Sequence, residues 1–234
     1  MTPRTQASSP RTKATGSDPH PPPASSRRPA AGAGHGRTAD DVAPGRRYAI
    51  GLVVAGLVGL LAAATLLVEK VALLEAPDRI LTCDINPVIS CGSVMSTDQA
   101  EAFGFPNPLI GIVGFTVVLT LGVVLLAGAH LPRWVLGGLG LGTAFGVGFV
   151  HWLMFQSLYR IGALCPYCMA VWAVTIPLFV ATVAMLVRTG TIRIRPPGLA
   201  RLITDYQGVI VTVWALVVIG LVTRRFWSYW ETLL

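Results

Sequence analysis

Charge is what this chain has least of. Only 12% of its 234 residues are Asp, Glu, Lys or Arg, against 53% hydrophobic, and the mean hydropathy is +0.64. A soluble domain carries about 25% charged residues, so much of this surface must face lipid. Cysteine is scarce too, with four residues in the whole chain, and no cluster of His accompanies them. Residues 1–44 lack large aliphatic side chains: after Met1 only Val42 qualifies, among many Pro, Ser, Ala and Arg residues and the run Pro21-Pro22-Pro23. Such a segment cannot bury enough apolar surface to offset its ordering entropy. It is expected to be a disordered basic tail. Its polar stretch is too long for a signal peptide, and the first apolar run is too long for a cleavable core, so that run is expected to stay as an anchor.

What the chain does have is long apolar runs. Five approach or exceed the ~20 residues that a helix needs to cross a bilayer: about Tyr48 to Val68, Pro108 to Ala129, Trp134 to Tyr159, Pro166 to Val187, and Tyr206 to Thr223. Lipid offers the backbone no partners, so runs of this length predict helices rather than strands. The expected fold class is an all-α membrane protein, with residues 45–190 as a four-helix bundle and residues 191–234 as a loop, a fifth transmembrane helix and a short tail.

Placement of the net charge of +7 orients the bundle. Eight of the 18 basic residues precede the first span, ending at Arg46-Arg47. His130 and Arg133, then Arg188, Arg193, Arg195 and Arg201, fall in the two loops that five crossings put on the same side. The segment from Glu69 to Glu101 holds six acidic residues against only Lys70 and Arg79. The positive-inside bias predicts a cytoplasmic N-terminus, against which Arg224-Arg225 beyond the last span argue mildly. The tail reads as a solvated arm near anionic lipid, not as a nucleic-acid binder.

Both cysteine pairs then fall on the extracytoplasmic side, where disulfides persist. Cys83 and Cys91 lie in one loop, around the turn signal Asn86-Pro87. Cys165-Pro166-Tyr167-Cys168 is a C-x-x-C opening the fourth span, the compact spacing of a dithiol that opens and closes its own disulfide. Two such pairs in one membrane protein suggest a relay. A zinc site from all four cysteines is the alternative, but the first pair is seven residues apart rather than two to four. Static staples are another. A loop as short as Cys83 to Cys91 yields limited stability by loop entropy, which suits an exchangeable bond.

After Cys91, Ser96 with Gln99 fits a capping box, and Gly104 with Pro106 a stop. This predicts a short interfacial helix with Met95, Phe103 and Phe105 turned to the membrane. Asn107, His151 and Gln156 are polar at membrane depth. They are candidates for a functional pocket or for interhelical hydrogen bonds. Gly138, Gly142 and Gly146 form a small-residue stripe, predicted to be a helix-packing face.

Taken together, these residues are recognisable. A loop pair spaced C-x7-C, a hydroxyl residue six positions after it (Thr97), Asn107 before the next span, and a late C-x-x-C opening a helix resemble the vitamin K epoxide reductase (VKOR) family. The resemblance covers roughly Gly51 to Val187 and is to the bacterial form that reoxidises disulfide-forming proteins. It implies a four-helix bundle around a quinone pocket, with menaquinone or ubiquinone as cofactor. It implies that Cys83 meets the reduced partner, that Cys91 shuttles electrons to Cys165, and that Cys168 is the quinone-proximal thiolate. Asn107 looks like the residue that hydrogen-bonds a quinone carbonyl, and Trp172 stands where vertebrate relatives carry Tyr. With Thr97 and His151 these are the expected pocket residues. Some bacterial relatives carry a fused thioredoxin-like domain after a fifth helix; the resemblance here implies instead a separate DsbA-like protein as partner. The expected site is the bacterial plasma membrane. A DsbB-like enzyme is a rival of the same chemistry, but such proteins carry the two pairs in the opposite order. A non-catalytic membrane assembly factor with metal-binding or bracing cysteines is a rival of another class.

Overall fold

A computed structural model describes residues 41–42 and 44–231. The tail expected over residues 1–44 lies almost wholly outside the described residues. In chain order the elements are β1 (Asp41–Val42), α1 (Arg46–Glu75), α2 (Cys91–Met95), a 3-10 turn (Asp98–Glu101), α3 (Pro108–Leu126), β2 (Leu131–Pro132), α4 (Arg133–Phe155), a π-helical turn (Gln156–Ile161), α5 (Pro166–Arg188), α6 (Pro197–Asp205), α7 (Gln207–Arg225) and α8 (Trp227–Glu231). The two short strands pair antiparallel, Val42 opposite Leu131. The protein is all-α in character, and α1, α3, α4 with its π turn, α5 and α7 are long and apolar enough to cross a membrane.

The first span runs past its expected end at Val68, on to Glu75. The two charges that close the apolar run are satisfied inside the protein. Lys70 Nζ donates to the Met95 carbonyl at 2.8 Å and pairs with Glu101 at 2.9 Å, while Glu69 accepts from the Thr82 hydroxyl. The predicted interfacial helix needs correction as well. Helix α2 begins at Cys91, capped by Ser90, whose hydroxyl accepts from the Ser93 N–H at 3.1 Å. Ser96 is its C-cap, because the Ser96 N–H is already committed to the Gly92 carbonyl. Met95 turns inward, only 5% exposed, whereas Phe103 and Phe105 are exposed.

Packing is uneven around the bundle. Helix α1 lies along α3 and α5, and α4 lies along α5, but α3 and α4 scarcely approach each other. The α1–α3 seam is tight because glycines stand there: a Cβ at Gly56 would sit 2.7 Å from the Leu119 backbone nitrogen, and one at Gly122 would sit 2.9 Å from that of Val53. The stripe on α4 is a different matter, and the expectation of a packing face is overturned. A Cβ at Gly138 or Gly142 meets nothing within 4 Å, and one at Gly146 meets only the Thr175 methyl at 3.6 Å. The stripe lines the gap between α3 and α4. No residue of α7 is buried.

These contrasts are testable by stability. Gly56→Ala forces the α1–α3 backbones apart and should cost about 1–3 kcal/mol. Gly142→Ala should leave the melting temperature in detergent within error. Equal losses in the two variants would contradict the assignment of the seam.

Candidate active site

The loop between α1 and α2 is folded so that one sulfur reaches another. Cys83 and Cys91 are joined in a disulfide with Cα atoms 5.6 Å apart. Cys91 Sγ lies 3.1 Å from Cys165 Sγ, although 74 positions separate them in the chain. A bridge places them. The Ser90 N–H donates to the Leu164 carbonyl at 2.9 Å, and the Leu164 N–H donates to that of Val88 at 2.7 Å. The residues just before the two cysteines are thus hydrogen-bonded side by side. The Asn86-Pro87 turn feeds this strand-like segment, with Asn86 Oδ1 accepting from the N–H groups of Val88 and Ile89.

Asp84 clasps the same loop. Its carboxylate accepts from the Ser90 hydroxyl (2.8 Å) and from the N–H groups of Gly92 (2.9 Å) and Leu81 (3.2 Å). Burial pushes this carboxyl up, but the bonds from Gly92, Ser90 and Leu81 outweigh it and hold it below the ordinary 3.8. Cys165 and Cys168 are free thiols, and Cys165 is the N-cap of α5. A hydrogen bond from the Cys168 side chain is the largest influence on the Cys165 thiol. With the first N–H groups of the helix it lowers that thiol below its ordinary value, against burial and the Asp84 charge. Helix N-termini favour anions in this way. The cap position belongs to Cys165, not to Cys168 inside the first turn.

From Cys168 inward there is open space. A cavity of about 550 Å³ fills the gap between α3 and α4, and Cys168 is on its wall. Its volume falls within the 300–1,000 Å³ usual for small-molecule sites, and its lining is mostly apolar with few polar groups, as such sites are. Thr97, Asn107 and Trp172 also line it. The Thr97 hydroxyl is spent on the Val94 carbonyl. Asn107 braces the 3-10 turn, donating to the Gln99 carbonyl at 2.7 Å and accepting from the Ala102 N–H at 3.1 Å. An amide has a second N–H to give. Trp172 is 4% exposed, and its indole N–H has no hydrogen-bond partner among the described residues. His151 is not brought to this wall. Its Nδ1 faces the Val147 carbonyl at 2.7 Å and its Nε2 accepts from Trp214 Nε1 of α7 at 2.9 Å, so it joins α4 to α7.

Residues 50–183, more than half of the chain, match the vitamin K epoxide reductase family. The chain belongs to that family. No single curated protein matches it. Membership makes it a membrane thiol–disulfide oxidoreductase of a family linked with quinones and thioredoxin-like partners. Sequence reasoning missed Lys70 and Asp84 as the groups that hold the loop. The one signal for Lys70 was a lysine separated by a single residue from the end of a membrane-length apolar run.

The Asp84 clasp gives a pH dependence with a definite sign. A carboxyl lowered on folding adds stability above its unfolded value, and that stability is lost as pH falls through the folded value. Wild-type thermal stability should therefore fall as pH drops below about 3.8, the ordinary value. Asp84→Asn should be less stable at pH 7, with the difference shrinking towards that acid limit. A constant difference across the titration would remove the charge from the account.

Proposed function

We propose that this VKOR-family protein is a thiol:quinone oxidoreductase of a bacterial plasma membrane that reoxidises a separate DsbA-like protein. The observation that supports it most is the line of sulfurs. Cys83 is bonded to Cys91, Cys91 meets Cys165 at 3.1 Å, and Cys168 faces the cavity. A route of this kind carries electrons from an outer loop to an apolar site within the bundle.

Each exchange breaks one S–S bond and makes one, with a thiolate attacking. A partner thiolate attacks Cys83, and Cys91 departs as thiolate. The partner's second thiol then resolves the mixed disulfide, so the partner leaves oxidised and Cys83 and Cys91 are reduced. Cys91 attacks Cys165 of an inner disulfide and expels Cys168. Cys83 closes back on Cys91, leaving Cys165 and Cys168 as the dithiol that holds the two electrons. The closed outer pair and free inner pair of the structure match that last stage. A bound quinone supplies the final acceptor, taking two electrons and two protons to leave as the quinol. The residues that fit it are Cys168, the indole N–H of Trp172 and the second N–H of Asn107, with Thr97 at the rim.

Cys83 is 5% exposed and Cys91 is fully covered, so the partner must displace the loop that carries the exposed Ile80 and Ile85 to reach the bond. In this reading the cysteine end of the bundle faces outward. The end bearing Arg46, Arg47, Arg133 and Arg188 faces the cytoplasm, as the positive-inside bias favours.

Purified protein in detergent, given a reduced DsbA-like protein and a menaquinone or ubiquinone analogue, should reduce the quinone. Cys165→Ala and Cys168→Ala should each abolish turnover, and Cys91→Ala, offered the oxidised partner, should be caught in a mixed disulfide through Cys83, whose thiolate attacks the partner's disulfide. Near-normal turnover in either inner-pair variant would sink the relay.

The donor role of Trp172 is tested separately. Trp172→Phe keeps the ring and removes the N–H, which should raise the KM for quinone by a factor corresponding to about 1 kcal/mol. Transfer of electrons from partner to Cys165–Cys168 should be unchanged. Unaltered KM would leave Trp172 as wall packing alone.

A further inference from the structure

The π-helical turn that ends α4 carries a second polar group aimed at the cavity. Ser157 is 3% exposed and lines the same cavity as Cys168 and Trp172. Its backbone carbonyl accepts from the Gly162 N–H at 2.9 Å, the wide ring of a π turn. Its hydroxyl makes no hydrogen bond among the described residues. The other hydroxyls on this wall behave differently. Thr97, Thr143 and Thr175 each donate to a carbonyl of their own segment, Val94, Gly140 and Val171 respectively. A serine inside a helix has that same option, and Ser157 does not take it. A buried hydroxyl without a partner is costly, and in native proteins such a group calls for an explanation.

The turn that presents Ser157 is held from outside the bundle. Because the Gly162 N–H bonds back to Ser157, the Leu158 carbonyl is left without its usual helical donor. Arg225 Nε of α7 takes it at 2.7 Å. Single π turns inside α-helices are frequent at functional sites, and here the distortion puts a free hydroxyl on the cavity wall.

We propose that the Ser157 hydroxyl donates a hydrogen bond to a carbonyl oxygen of the quinone, as a polar contact additional to Trp172 and Asn107. The ligand is then a ring with an acceptor oxygen on the α4 side of the cavity. Its apolar remainder lies along the open glycine stripe, where Gly138 and Gly142 leave space unfilled. The inference rests on the quinone reading, and the test separates the two.

Quinone affinity is measured by quenching of tryptophan fluorescence in detergent, and the bound carbonyl by difference infrared spectroscopy. Ser157→Ala should weaken binding about threefold to tenfold, the worth of one such bond, and should move a carbonyl band to higher wavenumber. Ser157→Thr, which keeps the hydroxyl, should retain the wild-type band. Wild-type affinity and an unshifted band in Ser157→Ala would overturn the role of Ser157 while leaving the quinone site standing. Equal weakening in both variants without a band shift would reduce Ser157 to packing and also overturn it. Absence of quinone binding in the wild-type protein would overturn the reading beneath.

Discussion

The 3.1 Å approach of Cys91 to Cys165 is the constraint on which the rest of the molecule depends. Thiol–disulfide exchange needs one sulfur close against another, and here two sulfurs come that close from a loop and from the start of a helix. The loop buries Leu81 and Val88 but leaves Ile80 and Ile85 exposed, and its disulfide closes too short a ring to stabilise it much by entropy. Polar bonds therefore hold it: the Leu164 bridge on one side, the Asp84 clasp within, and Lys70 from α1 beneath. Lys70 reaches the Met95 carbonyl at the end of α2, so α1 sets the height at which Cys91 sits.

The second requirement is a space that does not close. Lipid tails are as apolar as the side chains lining the gap between α3 and α4, so no hydrophobic force drives those helices together. Close packing has to be imposed by shape, and it is imposed elsewhere, where Gly56 and Gly122 let α1 and α3 meet. Helix α4 is held by α5 and, through His151 and Trp214, by α7. Among the described residues nothing comparable pulls it to α3. The gap is therefore a consequence of where the glycines lie, and it opens beside Cys168.

The parts of this arrangement that depend on chemistry local to the chain were legible beforehand. Five apolar runs predict five helices, because length and polarity suffice when lipid is the solvent. The order and spacing of the cysteines, with Thr97 and Asn107 in place, pointed to the family. The parts that depend on which face turns inward were not legible. Glycines at Gly138, Gly142 and Gly146 have the same spacing whether they meet a helix or a void, and only the position of α3 decides. Ser90 and Ser96 are both plausible caps, and the decision came from where the Leu164 bridge ends the preceding strand segment. His151 is a polar residue at membrane depth in either reading, but its ring was committed to Val147 and Trp214.

The basic pair after the fifth helix shows the same limit from the side of charge. Counting Arg224 and Arg225 as topological signals sets them against the other basic segments, since α7 ends beside the cysteine loops. Arg225 has a different task. The π turn at the end of α4 frees the Leu158 carbonyl, burial leaves that carbonyl without water, and the Arg225 guanidinium supplies the donor. The next residue, Phe226, is 5% exposed and packs among Val88, Leu158, Leu164 and Trp172. An arginine held by a carbonyl and anchored by a buried neighbour is placed by packing rather than by the sidedness of charge. Its presence at the cysteine end is therefore compatible with an outward-facing site. The fifth helix, which buries none of its own residues, thus acts not only through Trp214 but also at its last turn, where it fixes the segment that carries Ser157.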